Sequence, residues 1–266
     1  MKKISIAIAC FIMLFNSLSA LAWGPMGHDV VAAIAEQNLT RKAKKNLDKL
    51  LGGHSIVYYS SWMDNIQNSP YWNDGYNQTK TWHYANVDKG HTYQTMPKNE
   101  KGDVVTALTK LTWELTENDA NLTDSMRVDY VKMIVHMMGD MHCPMHIVYL
   151  PDNVNKGHYF VYWKGKQQKM HVIWDGRIFD DYYKWGFLDM AYLVDTATPE
   201  QIAEITKGTV YDYASNSARD SWPVVSQYVE GDPLPKSYAT DVRSILFSQL
   251  RNGGYRLAAI FNEAFK

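Results

Sequence analysis

The chain has 266 residues, 27 basic and 28 acidic side chains, a formal net charge of −1 at pH 7 and 46% hydrophobic residues. That balance excludes a protein that grips duplex phosphates over a broad basic face, so any attraction for a polyanion must be local. The length buries a large core in one domain, and no repeat, low-complexity tract or Gly/Ser linker divides it.

In chain order, basic Lys2 and Lys3 precede an apolar stretch from Ile4 to Leu18 and small residues at Ala20 and Ala22, the three parts of a secretory signal. A stretch of about 15 residues is short for a membrane anchor, which needs about 20. Residues 1–22 are therefore expected to be a signal peptide and residues 23–266 the working domain of a secreted or periplasmic protein. Cys10 leaves with the signal, and Cys143 alone can form no internal disulfide. Cleavage also frees the α-amine of Trp23 five residues before His28, and both nitrogens suit zinc. No later segment is long and apolar enough to span a membrane.

Apolar periodicity makes the rest mainly α. A helix is predicted over Asp29 to Leu39, and a second follows the N-cap Thr40 and ends at Gly52-Gly53. Asp103 to Glu117 is a third. Asp124 can cap a longer one in which Val131, Met133, Ile134, Val135, Met137, Met138 and Met141 leave almost no polar face. Tyr159–Trp163 and Met170–Trp174 flank Lys164-Gly165-Lys166 as one small β-hairpin. The tail from Asp241 to Phe265 is helical, interrupted at Gly253-Gly254.

His136 and Asp140 lie four apart on the buried helix, so they share a face inside a core that tolerates no lone charge. A buried carboxylate without a partner costs several kcal/mol, which leaves a hydrogen-bonded His–Asp pair or a cation held between them. Pro144 ends or kinks this helix and re-aims His146. With His28, Asp64, His83, His171 and Asp175, five histidines and three aspartates need explaining. Imidazole and carboxylate suit zinc, and a site open to water suits catalysis.

Trp23-Gly24 with His28, Ser61-Trp62 with Asp64, Trp82-His83, the run from His136 through Gly139-Asp140 to Pro144 and His146, His171 with Trp174-Asp175, and Gly253-Gly254-Tyr255-Arg256-Leu257-Ala258 resemble, in this order, the zinc-dependent single-strand nucleases of the S1/P1 family. These are distant relatives of zinc phospholipases C. The resemblance covers nearly the whole chain after residue 22 and implies a single-domain helical fold of that type. It also implies three zinc ions. Asp64, His83, His136 and Asp140 would surround one; Trp23, through α-amine and carbonyl, with His28 and Asp140 would hold its neighbour; His146, His171 and Asp175 would hold the third. Asp140 would bridge the first two.

Three zinc ions against three aspartates leave about +3, a field that attracts a phosphodiester. Zinc can lower the pKa of bound water to about 7, so hydroxide bridging the paired ions would serve as nucleophile, with Asp64 and Asp140 as the carboxylates of the catalytic centre. As in the family, the expected products are 5′-phosphate ends from single-stranded DNA and RNA, and 3′-mononucleotides would lose their phosphate. Tyr84 is the stacking platform for a base. Asn86 stands where relatives read the base edge with aspartate, and Gln67 where they carry arginine. The disulfides of eukaryotic members cannot form here, so the loops between Asp88 and Gly102 must be held otherwise. A monomer is expected. The alternatives are a zinc phospholipase C, disfavoured because Asp175 stands where glutamate is expected and no exposed amphipathic stretch is evident, and a non-catalytic periplasmic zinc-binding protein.

Overall fold

The computed structural model describes residues 23–66, 69–70, 76–148 and 159–266. The predicted leader, Gln67 and the segment 149–158 lie outside the described residues. α1 (Pro25–Gln37) begins with proline in its first turn, where a missing N–H costs nothing, and buries Val30, Val31, Ile34 and Ala35. α2 (Arg41–Leu50) is capped by the Thr40 hydroxyl, which accepts from the Ala43 N–H at 3.1 Å, and it stops before Gly52 and Gly53, both left-handed.

The short α3 (Trp62–Ile66) precedes α4 (Val104–Thr116), whose N-cap Asp103 accepts from the N–H groups of Val105 and Thr106. α5 (Asp124–Met141) is capped one residue earlier than expected: the Thr123 hydroxyl accepts from Met126 N–H at 3.3 Å. Asp124 instead stands in the first turn, where its charge opposes the positive end of the helix dipole. Pro144 cannot extend α5 and opens the separate turn α6 (Pro144–Ile147).

The hairpin is present, but its second strand differs from expectation. β1 (Phe160–Trp163) pairs antiparallel with β2 (Lys166–Lys169), Trp163 facing Lys166 across Lys164 and Gly165, both with positive φ. That two-residue turn fixes the register and uses up the pairing at Lys169. Met170–Trp174, read as a strand, is helical: α7 (Met170–Val172) passes through a π turn (Ile173–Arg177) into α8 (Ile178–Tyr182). A five-residue apolar run has no period long enough to separate buried strand from buried helix.

After α8 come α9 (Phe187–Val194), α10 (Pro199–Ile205), α11 (Val210–Val225), α12 (Tyr238–Asp241) and α13 (Arg243–Ala264). α1 is the central element, packed against α13, α9 and α5. The interruption expected at Gly253-Gly254 does not occur, because α13 runs unbroken through both glycines. They are there for proximity: a Cβ on Gly254 would lie 2.5 Å from Cβ of Ile34 in α1.

Arg256, further along α13, is buried and donates to Nε2 of His142 at 2.7 Å and to the Ile205 carbonyl at 3.0 Å, while its guanidinium lies over the Tyr213 ring. Burial and the Arg256 charge push the His142 imidazole down to about 3, so it accepts as a neutral ring and donates from Nδ1 to the Met138 carbonyl. The loop over residues 88–102 is held without a disulfide by buried Tyr93, whose hydroxyl donates to Asp103 at 2.8 Å and whose N–H donates to Ser215 at 2.9 Å. Among the described residues no helix is long and apolar enough to cross a membrane. α9 does expose Leu188, Tyr192 and Leu193, with Trp185 nearby, an outward apolar face that the sequence reading did not show.

Gly254→Ala is expected to lower stability by about 1–2 kcal/mol, since overpacking against Ile34 exceeds the helix propensity that alanine gains. A fall in the urea midpoint at unchanged slope checks it.

Candidate metal centre

The structure gathers side chains from α1, α3, α5, α6, α7, the π turn and the segment around His83 into one buried cluster. Asp140 is its hub. Its Oδ2 lies 3.0 Å from His83 Nδ1 and 3.2 Å from His136 Nε2, and its Oδ1 lies 3.4 Å from His28 Nε2 and 4.0 Å from His146 Nδ1. Asp64, delivered by α3, places Oδ1 3.7 Å from His83 Nδ1 and 3.6 Å from His136 Nε2. The second part of the cluster joins His146, His171 and Asp175: His146 Nε2 lies 3.7 Å from Asp175 Oδ1, and His171 Nδ1 lies 3.4 Å from Asp175 Oδ2.

Backbone carbonyls orient two of the rings. His136 Nδ1 donates to Ser60 O at 2.8 Å and His146 Nδ1 donates to His83 O at 2.6 Å. A carbonyl only accepts, so Nδ1 carries a proton and Nε2 is turned into the cluster, the orientation that a carbonyl behind the ring gives to metal-binding histidines. The Ser60 hydroxyl in turn donates to Asp29 of α1 at 2.5 Å, which ties the carbonyl's position to the central helix. His28 stacks on His136 at 4.1 Å between ring centroids. Its approach requires bare backbone opposite, for a Cβ on Gly139 would sit 2.4 Å from His28 Nδ1.

Electrostatics tie these groups to one another. Burial works against an imidazolium at His136, yet the carboxylates of Asp140 and Asp64 outweigh it and push His136 up to about 9. Burial likewise pushes the Asp175 carboxyl up to about 7. Asp140 goes the other way, held well below the usual carboxylate range by the imidazoles around it despite its burial. Protons here balance carboxylates, a role that a cation can take over. Among the described residues, Oδ1 of Asp140 and both ring nitrogens of His28 are buried and make no hydrogen bond, which fits them to a cation. Among the described residues, three groups of side chains lie close enough to hold one: His28 with His136 and Asp140; Asp64 with His83 and His136; and Cys143 with His146 and Asp175.

The structure thus brings together every predicted histidine and aspartate. Trp23 is buried beside them, edge-on to Phe179 at 5.6 Å, and the Gly24 N–H donates to the Asp175 carbonyl at 2.5 Å. The segment after His83 is extended, with Ala85 N–H donating to His146 O and Val87 N–H to Ile147 O, so its residues alternate. His83 and Ala85 face inward; Tyr84, 39% exposed, and Asn86 face outward, together. Gln67 lies outside the described residues. Sequence reasoning missed Cys143, counted only as a cysteine without a disulfide partner; its spacing, Asp140-x2-Cys143-x2-His146, was the available signal.

A mainly helical fold closed around buried imidazoles and carboxylates defines a protein built to hold cations. A family model described as S1/P1 Nuclease matches residues 23–266. The chain is 26% identical to Endonuclease 2 of Arabidopsis thaliana over 285 residues, covering 95% of this chain and 94% of the relative. It is 24% identical to Nuclease PA3 of a Penicillium species over 274 residues (91% and 97% covered) and 25% identical to Nuclease S1 of Aspergillus oryzae over 166 residues (58% and 53%). The chain belongs to the S1/P1 nuclease family, as the motifs indicated, and is a hydrolase of phosphodiester bonds in nucleic acids.

Gly139→Ala is expected to drive His28 away from Asp140. Elemental analysis should then find less metal per chain than in the wild type, with helix content by circular dichroism unchanged.

Proposed function

We propose that this nuclease is a zinc enzyme that cuts single-stranded DNA and RNA to 5′-phosphate ends and removes phosphate from 3′-mononucleotides. In this reading residues 1–22 direct export and are cleaved, and the domain works outside the cytoplasm as a monomer. The match of the family model from residue 23 onward supports the boundary. Asp64, His83, His136 and Asp140 would hold one zinc ion, Trp23, His28 and Asp140 a second, and His146, His171 and Asp175 a third. The observation that carries the proposal is Asp140, a fully buried carboxylate ringed by four imidazoles, with one oxygen making no hydrogen bond among the described residues.

When bound, zinc supplies Lewis-acid activation of water and positive charge for the phosphodiester. The chain's own residues do the rest. Ser60 and His83 hold His136 and His146 in fixed tautomers through their carbonyls, so the ligand nitrogens are oriented before substrate arrives. Exposed Tyr84 offers a ring face to an unpaired base, which a duplex does not present, and this favours single strands. Beside it, Asn86 offers both a donor and an acceptor to the base edge.

Chelation should abolish release of acid-soluble nucleotides from denatured DNA, and added zinc should restore it. Metal-independent cleavage, or hydrolysis of phosphatidylcholine in place of nucleic acid, would overturn the reading. Asp140→Asn should reduce kcat/KM on single-stranded DNA by at least about 100-fold, since it removes the charge shared by the imidazoles. Tyr84→Ala should instead weaken substrate binding by about 1–3 kcal/mol, seen chiefly in KM.

A further inference from the structure

We infer that Cys143 contributes a thiolate ligand to the zinc ion held by His146 and Asp175. The inference rests on the zinc reading above and adds a donor that neither the family resemblance nor the sequence analysis assigned.

Geometry is the first ground. One ligand atom from each of Cys143, His146 and Asp175 lies within 4.8 Å of the others, and both Cys143 Sγ and His146 Nε2 are 3.7 Å from Asp175 Oδ1. Zinc–ligand bonds of about 2.0–2.3 Å in a tetrahedron put neighbouring donors about 3.3–3.7 Å apart. The separations of Cys143 Sγ and of His146 Nε2 from Asp175 Oδ1 are therefore already those of donors on one ion. His171 does not, with respect to His146: their Nε2 atoms are 2.5 Å apart, closer than two donors on one tetrahedral ion. Loading both requires the rings to separate, whereas the sulfur already stands at a ligand separation from Asp175.

The backbone supplies the second ground. Cys143 sits in the break between α5 and α6, its N–H donating to Asp140 O at 2.9 Å and its carbonyl accepting from His146 N–H at 2.9 Å. Sulfur is thus fixed by the same turn that aims Asp140 and His146. It is fully buried, so the surface reactions of a free thiol do not account for it. Binding replaces the S–H bond by a sulfur–zinc bond and passes the proton to the buffer, with no oxidant or reductant involved. A bound cation makes this loss of the proton favourable even though burial opposes a bare thiolate. The consequence is an ion held more firmly but with less residual positive charge than a His–His–Asp set would leave.

Cobalt(II) in place of zinc gives the test, because sulfur coordination produces an intense near-ultraviolet charge-transfer band that nitrogen and oxygen donors do not. The cobalt-loaded wild type should show the band, and Cys143→Ser and Cys143→Ala should lack it; Cys10, if the leader is retained, is common to all three. In competition with a chelator, Cys143→Ser should hold one zinc ion about 10–100-fold more weakly than the wild type. A metal-loaded wild type without the band overturns the inference and needs no variant to fold. So does a band that survives in both variants. Zinc counting and chelator inactivation of the wild type separate these results from failure of the zinc reading itself, which would appear as no metal uptake or as activity without metal.

Discussion

One buried carboxylate governs this molecule. Asp140 is out of water at the end of α5, ringed by His28, His83, His136 and His146, and a charge in that position persists only if something opposes it. Its neighbours do so as proton carriers or as fellow ligands of a cation. Either way the helices that bring them must close around the same point. The break at Pro144, the path of α1 over Gly139 and the seating of α3 beside α5 are all consequences of that demand.

What makes the cluster suited to metal is less the number of histidines than how they are held. Two rings are fixed by peptide carbonyls, and one of those carbonyls belongs to His83, itself in the cluster. Orientation is therefore built into the backbone, ahead of any ligand. The buried Arg256–His142 pair extends the same principle outward, locking the last turn of α5 against α13 through a neutral imidazole and a guanidinium.

Much of this was legible in the sequence, because buried helices betray themselves by periodicity and a His-x3-Asp spacing places both groups on one face whatever the tertiary fold. Caps at Thr40 and Asp103 were readable for the same local reason. The misreadings were tertiary in origin. Gly253-Gly254 looks like a helix break until Ile34 is known to press against it, and Met170–Trp174 looks like a strand until the turn at Lys164-Gly165 fixes the pairing elsewhere. Cys143 was visible but uninterpreted, since nothing in a linear chain says that Asp175 stands beside it.

The alternation from His83 to Asn86 carries a lasting implication. Odd positions of that short ribbon are committed inward, toward the buried histidines and aspartates, while even positions face outward, where the proposed function would have nucleic acid dock. Chemistry and taste are thus written on opposite sides of the same few peptides. Under the proposed function, exchanging Tyr84 or Asn86 would retune which nucleotide is preferred and leave the buried cluster untouched.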